Sequence, residues 1–136
     1  MRFRLLQAGL LVAVASSGCT TEPSEAFGTW VATSFIMTPT GGASIDLLQA
    51  GATLSITIDV ENVTTGSLDV PAGVAGAEAF SASMAGTAIV TETTVRFDQP
   101  ADTFVRDLVW SRGELTLFVT NQSAGSTAWT ITLSKT

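Results

Sequence analysis

The sequence predicts an all-β domain that closes as a small eight-stranded antiparallel up-and-down barrel. Three observations carry that prediction. Several segments alternate apolar and polar residues one by one, which is the pattern of a half-buried antiparallel strand. Gly, Asn and Pro punctuate the chain at short intervals, marking turns. No stretch beyond the N-terminal region keeps a sustained helical period, and Thr, Ser, Val and Gly dominate. About eight sequential strands with short links close on themselves without leaving an edge to template aggregation. A barrel of that size encloses side chains or one small ligand. A two-sheet β-sandwich is the competing architecture, because the same alternation permits it.

In chain order, the first strand is expected at 29–38, with Trp30, Ala32 and Ser34 on one face. One helical turn is expected at 45–49, ahead of Gly51. The clearest strand is 52–60, placing Leu54, Ile56, Ile58 and Val60 inward against outward Ser55, Thr57 and Asp59. A tight turn at Glu61-Asn62 leads to a strand at 63–68. The segment 69–77 (DVPAGVAGA) reads either as a lid over a barrel mouth or as a long connection. It is no phosphate loop, lacking the following Lys-Ser/Thr and helix. Strand character returns at 78–90, broken at Gly86, with Phe80, Ala82 and Met84 on a shared face, and again at 93–97. A strand at 104–110 would put Phe104, Arg106, Leu108 and Trp110 on one face, with Arg106 read as a surface residue on a buried stem. The turn Ser111-Arg112-Gly113 follows. Then come a strand with Leu115, Leu117 and Val119 inward and a last one with Trp129, Ile131 and Leu133 inward.

Composition removes several functions. The chain has 136 residues, 12 acidic against 6 basic, no His, no Tyr and one Cys. That length supports one domain with one core, expected at 27–136. No basic patch exists to neutralise nucleic-acid phosphates or to grip anionic lipid, so a nucleic-acid partner is excluded. Without His and with a single Cys, neither a zinc site nor an internal disulfide is expected. No cofactor and no metal site are implied. The carboxylates Asp98, Asp102 and Asp107 crowd one stretch without a recognisable calcium-loop spacing, and a solvated acidic rim is expected. Lys135 is the sole Lys, and nothing sets a Ser beside it, so a non-catalytic protein is expected.

The first eighteen residues read as an address. Met1 to Arg4 is basic, and 5–15 is an apolar run broken by Gln7, too short for a span of roughly 20 residues. Ser17 and Gly18 precede Cys19. This resembles the bacterial lipoprotein signal, although Ser16 stands where that family usually carries an aliphatic residue. The resemblance implies cleavage before Cys19 and acylation of its sulfur, which makes the lipid bilayer a partner through that residue. Cleavage removes Arg2 and Arg4 and no acid, leaving a more acidic chain. Acyl chains contribute about 0.8 kcal/mol per buried methylene. Thr20, in place of Asp after the Cys, implies the outer membrane where there are two, with the domain on its periplasmic or surface face. Residues 19–26 form the lipidated Cys and a polar tether. The seven residues after Cys19 reach at most about 25 Å.

Gly28-Thr29-Trp30 opens the first strand of the domain. A Gly-x-Trp there is similar to the first signature of the lipocalin and fatty-acid-binding barrels, in which the Trp closes one barrel end and a basic residue late in the last strand packs across it. Lys135 is the candidate here, a Lys where Arg is more usual. The second lipocalin signature is not visible. Gly-Thr-Trp also opens avidin-type barrels, but their biotin positions cannot be placed in this chain. The whole domain looks like the small lipocalin-like domains of bacterial lipoproteins. The resemblance implies a structural set of Gly28, Trp30 and Lys135 and a barrel that binds a small apolar ligand. Trp30 is either the plug or a ligand wall. Trp110 and Trp129 either flank a cavity mouth or pack in the core. Ser34 and Met84, with Ala32 and Ala82, are candidate cavity lining. The alternative function is a structural or interaction lipoprotein of the cell envelope with a filled barrel and a protein partner of unknown identity.

Overall fold

The computed structural model describes residues 26–136. The leader 1–18, Cys19 and nearly all of the tether lie outside the described residues. Ten strands follow in order: β1 Gly28–Pro39, β2 Ile45–Asp46, β3 Thr53–Ile58, β4 Val63–Val70, β5 Phe80–Ser83, β6 Gly86–Val90, β7 Thr94–Asp98, β8 Trp110–Arg112, β9 Thr116–Ala124 and β10 Thr127–Lys135. A short helix α1, Phe104–Asp107, lies between β7 and β8, and a 3-10 turn at Val74–Gly76 lies between β4 and β5.

Strand neighbours run β10-β9-β8-β7-β6-β4-β3-β1, and β10 pairs antiparallel with β1, so eight strands close into a barrel. The short strands β2 and β5 add to β1 and β4. The sandwich alternative is thereby set aside. Its interior holds Trp30, Phe35, Leu54, Ile56, Ile58, Leu68, Trp110, Leu117, Ile131 and Leu133, all buried. Inward residues come from alternate positions, as the strand period requires.

Two irregularities decide which residues face inward. Between β1 and β10 the register shifts at Thr33: Ala32 opposes Leu133, but Ser34 opposes Thr132 and Phe35 opposes Ile131. One extra residue in a strand moves every later side chain to the other face. The expected shared face of Trp30, Ala32 and Ser34 is therefore corrected. Ser34 turns to the outer wall, and Phe35 and Met37 take the inner one. A second shift lies between Trp129 and Ile131 against β9. There Asn121 has φ 48 and its N–H donates to Thr130 Oγ1 at 2.9 Å. Beyond it, the Gln122 amide hydrogen-bonds both backbone groups of Val109, at 2.7 and 3.0 Å, standing in for a ladder that β8 is too short to supply.

The break expected at Gly86 falls at Met84 and Ala85, between β5 and β6. The Met84 carbonyl, removed from the ladder, accepts from Thr64 Oγ1 at 2.8 Å and Gln99 Nε2 at 3.1 Å. Both donors are buried, and they satisfy a carbonyl that would otherwise be costly.

The expected strand at 104–110 is the main local error. Thr103 caps α1, its Oγ1 accepting from Val105 N at 3.3 Å, and the Trp110 indole donates to Val105 O at 3.2 Å. Capping by a Thr hydroxyl and that tertiary anchor override a β-rich local composition. Arg106 thus lies on a surface helix and not on a strand face. It bonds Asp102 at 3.0 Å and the Gln99 carbonyl at 3.2 Å. The turn placed at 111–113 begins two residues later, so Leu115 sits in the turn, 62% exposed and not inward. Val60 occupies the β3–β4 turn and is 72% exposed, for the same reason. At 45–49 there is β2 and then one hydrogen-bonded turn, with Asp46 Oδ1 accepting from Leu48 N and Gln49 N at 3.1 and 3.2 Å.

Candidate functional site

The two barrel ends differ. At one end Trp30 pairs with Lys135, and at the other Met37 pairs with Trp129. Seven residues of strand separate them, about 23 Å.

The first end is closed. Trp30 is 1% exposed, and its indole N–H donates to the Ala26 carbonyl at 3.0 Å. Lys135 Nζ lies 5.5 Å from the centre of the Trp30 ring, within cation–π range. Gly28 has φ 131, and a Cβ there would come within 2.7 Å of Lys135 Cε. Glycine therefore leaves the path along which the lysine stem reaches the indole. The three residues named by the resemblance come together as one cap of the closed end.

The second end is hollow. A cavity of about 210 Å³ lies there, with Met37, Leu47, Phe104 and Trp129 below and 70–80 above. The upper wall is Val70, Val74, Ala75, Ala77, Glu78 and Phe80, so the Gly-rich segment does cover the mouth. Its backbone is unusual: Ala75 takes φ 52, and no residue of the 3-10 turn is buried. Val70 and Val74 pack against the core, while Ala75, Ala77 and Glu78 of the cover are exposed. The cavity floor is aromatic. Phe104 stacks on Trp129 with ring centres 3.8 Å apart and planes 14° from parallel, and Phe35 packs on both at 5.8 and 6.1 Å. The helix α1 therefore delivers Phe104 into the mouth as part of the floor. The Trp129 indole nitrogen is enclosed and has no hydrogen-bond partner among the described residues.

None of the four ligand-facing candidates read from sequence lines this cavity. Trp30 caps the opposite end. Ser34 is turned outward by the bulge. Met84 and Trp110 are fully enclosed in the core, with Trp110 edge-on to Phe97 at 6.0 Å. The lining that sequence reasoning missed is Met37 and Leu47, hidden by the bulge and the β2 turn, and Phe104, hidden by the misread helix. Trp129, open between core and mouth in the sequence, is a buried core residue that also borders the cavity.

A larger groove of about 390 Å³ lies outside the barrel, between Ile89, Arg96, Phe97 and Asp98 and the Arg106-Asp107 side of α1. Of its two arginines, Arg106 is already paired, 3.0 Å from Asp102 and 4.0 Å from Asp107. An incoming anion there would have to displace them, so the mouth cavity is the candidate site. Among the described residues no group of three His, Cys, Asp or Glu could hold a metal, and no helix is long and apolar enough to cross a membrane.

Comparison with known proteins finds no matching family model, no matching curated protein and no matching solved structure.

Proposed function

We propose that this chain is a membrane-anchored, non-catalytic lipoprotein of the lipocalin-like kind, holding a small apolar ligand at the open end of its barrel. The observation that supports this is the apolar mouth cavity with a stacked aromatic floor and a partly exposed cover. Its volume is modest. At about 30 Å³ per water-sized group it takes a guest of roughly seven non-hydrogen atoms. That is below the usual range for drug-sized pockets, so a short chain or single ring is the fitting class.

Binding is tested by thermal unfolding of the full-length chain against small apolar molecules of that size. A ligand at about 100 times its Kd adds about 2.7 kcal/mol of stability. Val74→Trp, which fills the cavity from the cover, should abolish that gain while leaving the unliganded melting temperature nearly unchanged. If no such molecule stabilises the chain, the second reading takes its place: an envelope protein that docks by its outer wall. The packed barrel below the mouth favours that reading.

Anchoring rests on Ser17-Gly18-Cys19. Cys19→Ala should move the protein from the membrane to the soluble fraction, measured by fractionation. Unchanged membrane association would refute lipidation at that residue.

A further inference from the structure

We infer that the mouth cavity selects a monocyclic aromatic hydrocarbon, a single ring of about seven non-hydrogen atoms without polar substituents, over a saturated ring of the same size. This rests on the reading of the cavity as a ligand site and adds the chemical class of the guest. Four of the lining residues carry π electrons or a thioether: Phe104 and Trp129 in the floor, Met37, which is the β1 partner of Trp129, and Phe80 from the cover. The floor pair is stacked with ring centres 3.8 Å apart, and both rings border the cavity. Phe80 is 45% exposed although it also borders the cavity, so part of its ring has no protein surface against it. The rest of the lining is aliphatic apart from Glu78, which is exposed to solvent.

Two kinds of guest lose by this lining. A saturated ring gains the hydrophobic term alone. A flat aromatic ring gains that term and adds ring–ring contact with the aromatic side chains and a sulfur contact with Met37, both favourable beyond the area they bury. A ring carrying a hydroxyl or a carboxylate meets almost no polar surface in the cavity. The one side-chain donor of the floor, the Trp129 N–H, is enclosed by protein and out of a guest's reach. The polar substituent therefore gives up water without finding a partner, which is costly. Transfer from water alone ranks methylcyclohexane ahead of toluene, because its surface is the more apolar. The reverse order is thus a signature of the rings in the wall.

The test compares three guests of one size, toluene, methylcyclohexane and phenol. They are titrated into the full-length chain in lipid nanodiscs, with the free aqueous concentration of each measured so that uptake by lipid does not enter. Binding is followed by the indole N–H resonance of Trp129, with those of Trp30 and Trp110 as internal controls away from the cavity. Toluene should bind about fivefold more tightly than methylcyclohexane, which corresponds to about 1 kcal/mol, and about tenfold more tightly than phenol. Phe80→Leu keeps apolar bulk on the exposed cover and removes its ring. There the toluene-to-methylcyclohexane ratio should fall to about twofold, with methylcyclohexane binding unchanged. Methylcyclohexane binding as tightly as toluene, or more so, overturns the aromatic selectivity and leaves the apolar site standing. Phenol binding as tightly as toluene overturns the exclusion of polar substituents. No shift of the Trp129 resonance with any guest overturns the site and the selectivity together. A ratio that survives Phe80→Leu intact overturns the role of Phe80.

Discussion

Trp30→Ala should destabilise the barrel by about 4 kcal/mol, the middle of the range for removing a buried aromatic side chain. Three losses coincide at this position. A ring that is 1% exposed leaves a cavity in the closed end, its N–H bond to Ala26 disappears, and the Lys135 ammonium loses the face it packs over. The site also joins first strand to last, since Trp30 pairs with Lys135 on one side and with Ile56 on the other. A domain of this size has a total stability of about 5–15 kcal/mol, so the loss is a large fraction of it. Trp30→Phe keeps most of the packed area and should cost about half as much. Lys135→Met keeps the aliphatic stem and removes the charge, and should cost about 0.5–1 kcal/mol. Urea unfolding followed by circular dichroism measures all three. A Trp30→Ala cost below about 1.5 kcal/mol would contradict the cap as described.

Gly66→Ala should be of similar severity through a different cause. Gly66 lies mid-strand in β4 opposite Ile56, with φ 132. A Cβ there would fall 2.0 Å from the Ser55 carbonyl oxygen and 2.9 Å from its carbon, both backbone atoms of the neighbouring strand. No rotamer change relieves a clash with backbone, so the β3–β4 pair would have to separate. Strain at a positive φ costs of order 1–3 kcal/mol, and forced overpacking costs about 1–3 kcal/mol more. The expected result is a loss of about 4 kcal/mol, or failure to accumulate folded protein. Gly73→Ala is the control: its Cβ meets nothing within 4 Å, so it carries only the conformational part. If the two variants lose the same stability, the close approach is not what fixes Gly66.

The legible parts of this fold are those where local pattern and tertiary role agree. The alternation of Leu54, Ile56 and Ile58, and of Trp129, Ile131 and Leu133, maps onto buried strand faces. Gly28, Trp30 and Lys135 were legible because a short motif marks a physical cap. What escaped is what long-range contacts decide. Thr33 has no local mark of a bulge, since a bulge is defined by the count of residues on the opposing strand. Residues 104–107 carry strand-like composition, and only the Thr103 cap and the Trp110 anchor make them helical. Both misreadings fall on the mouth, which is why the cap end was read correctly and the cavity lining was not. Gly66 went unread for a similar reason. A glycine inside an alternating strand signals a close backbone approach, but its partner is visible only once β3 is beside it.

The polypeptide enters the barrel at Ala26, against Trp30, and therefore at the sealed pole. On the proposed anchoring, the attachment point therefore lies at the pole opposite the aperture, on a tether whose reach of at most about 25 Å is close to the barrel's own length of about 23 Å. A guest would then enter at the pole farthest along the chain path from the lipid attachment, and the tether's length, not the barrel, would set how closely that entrance meets the bilayer.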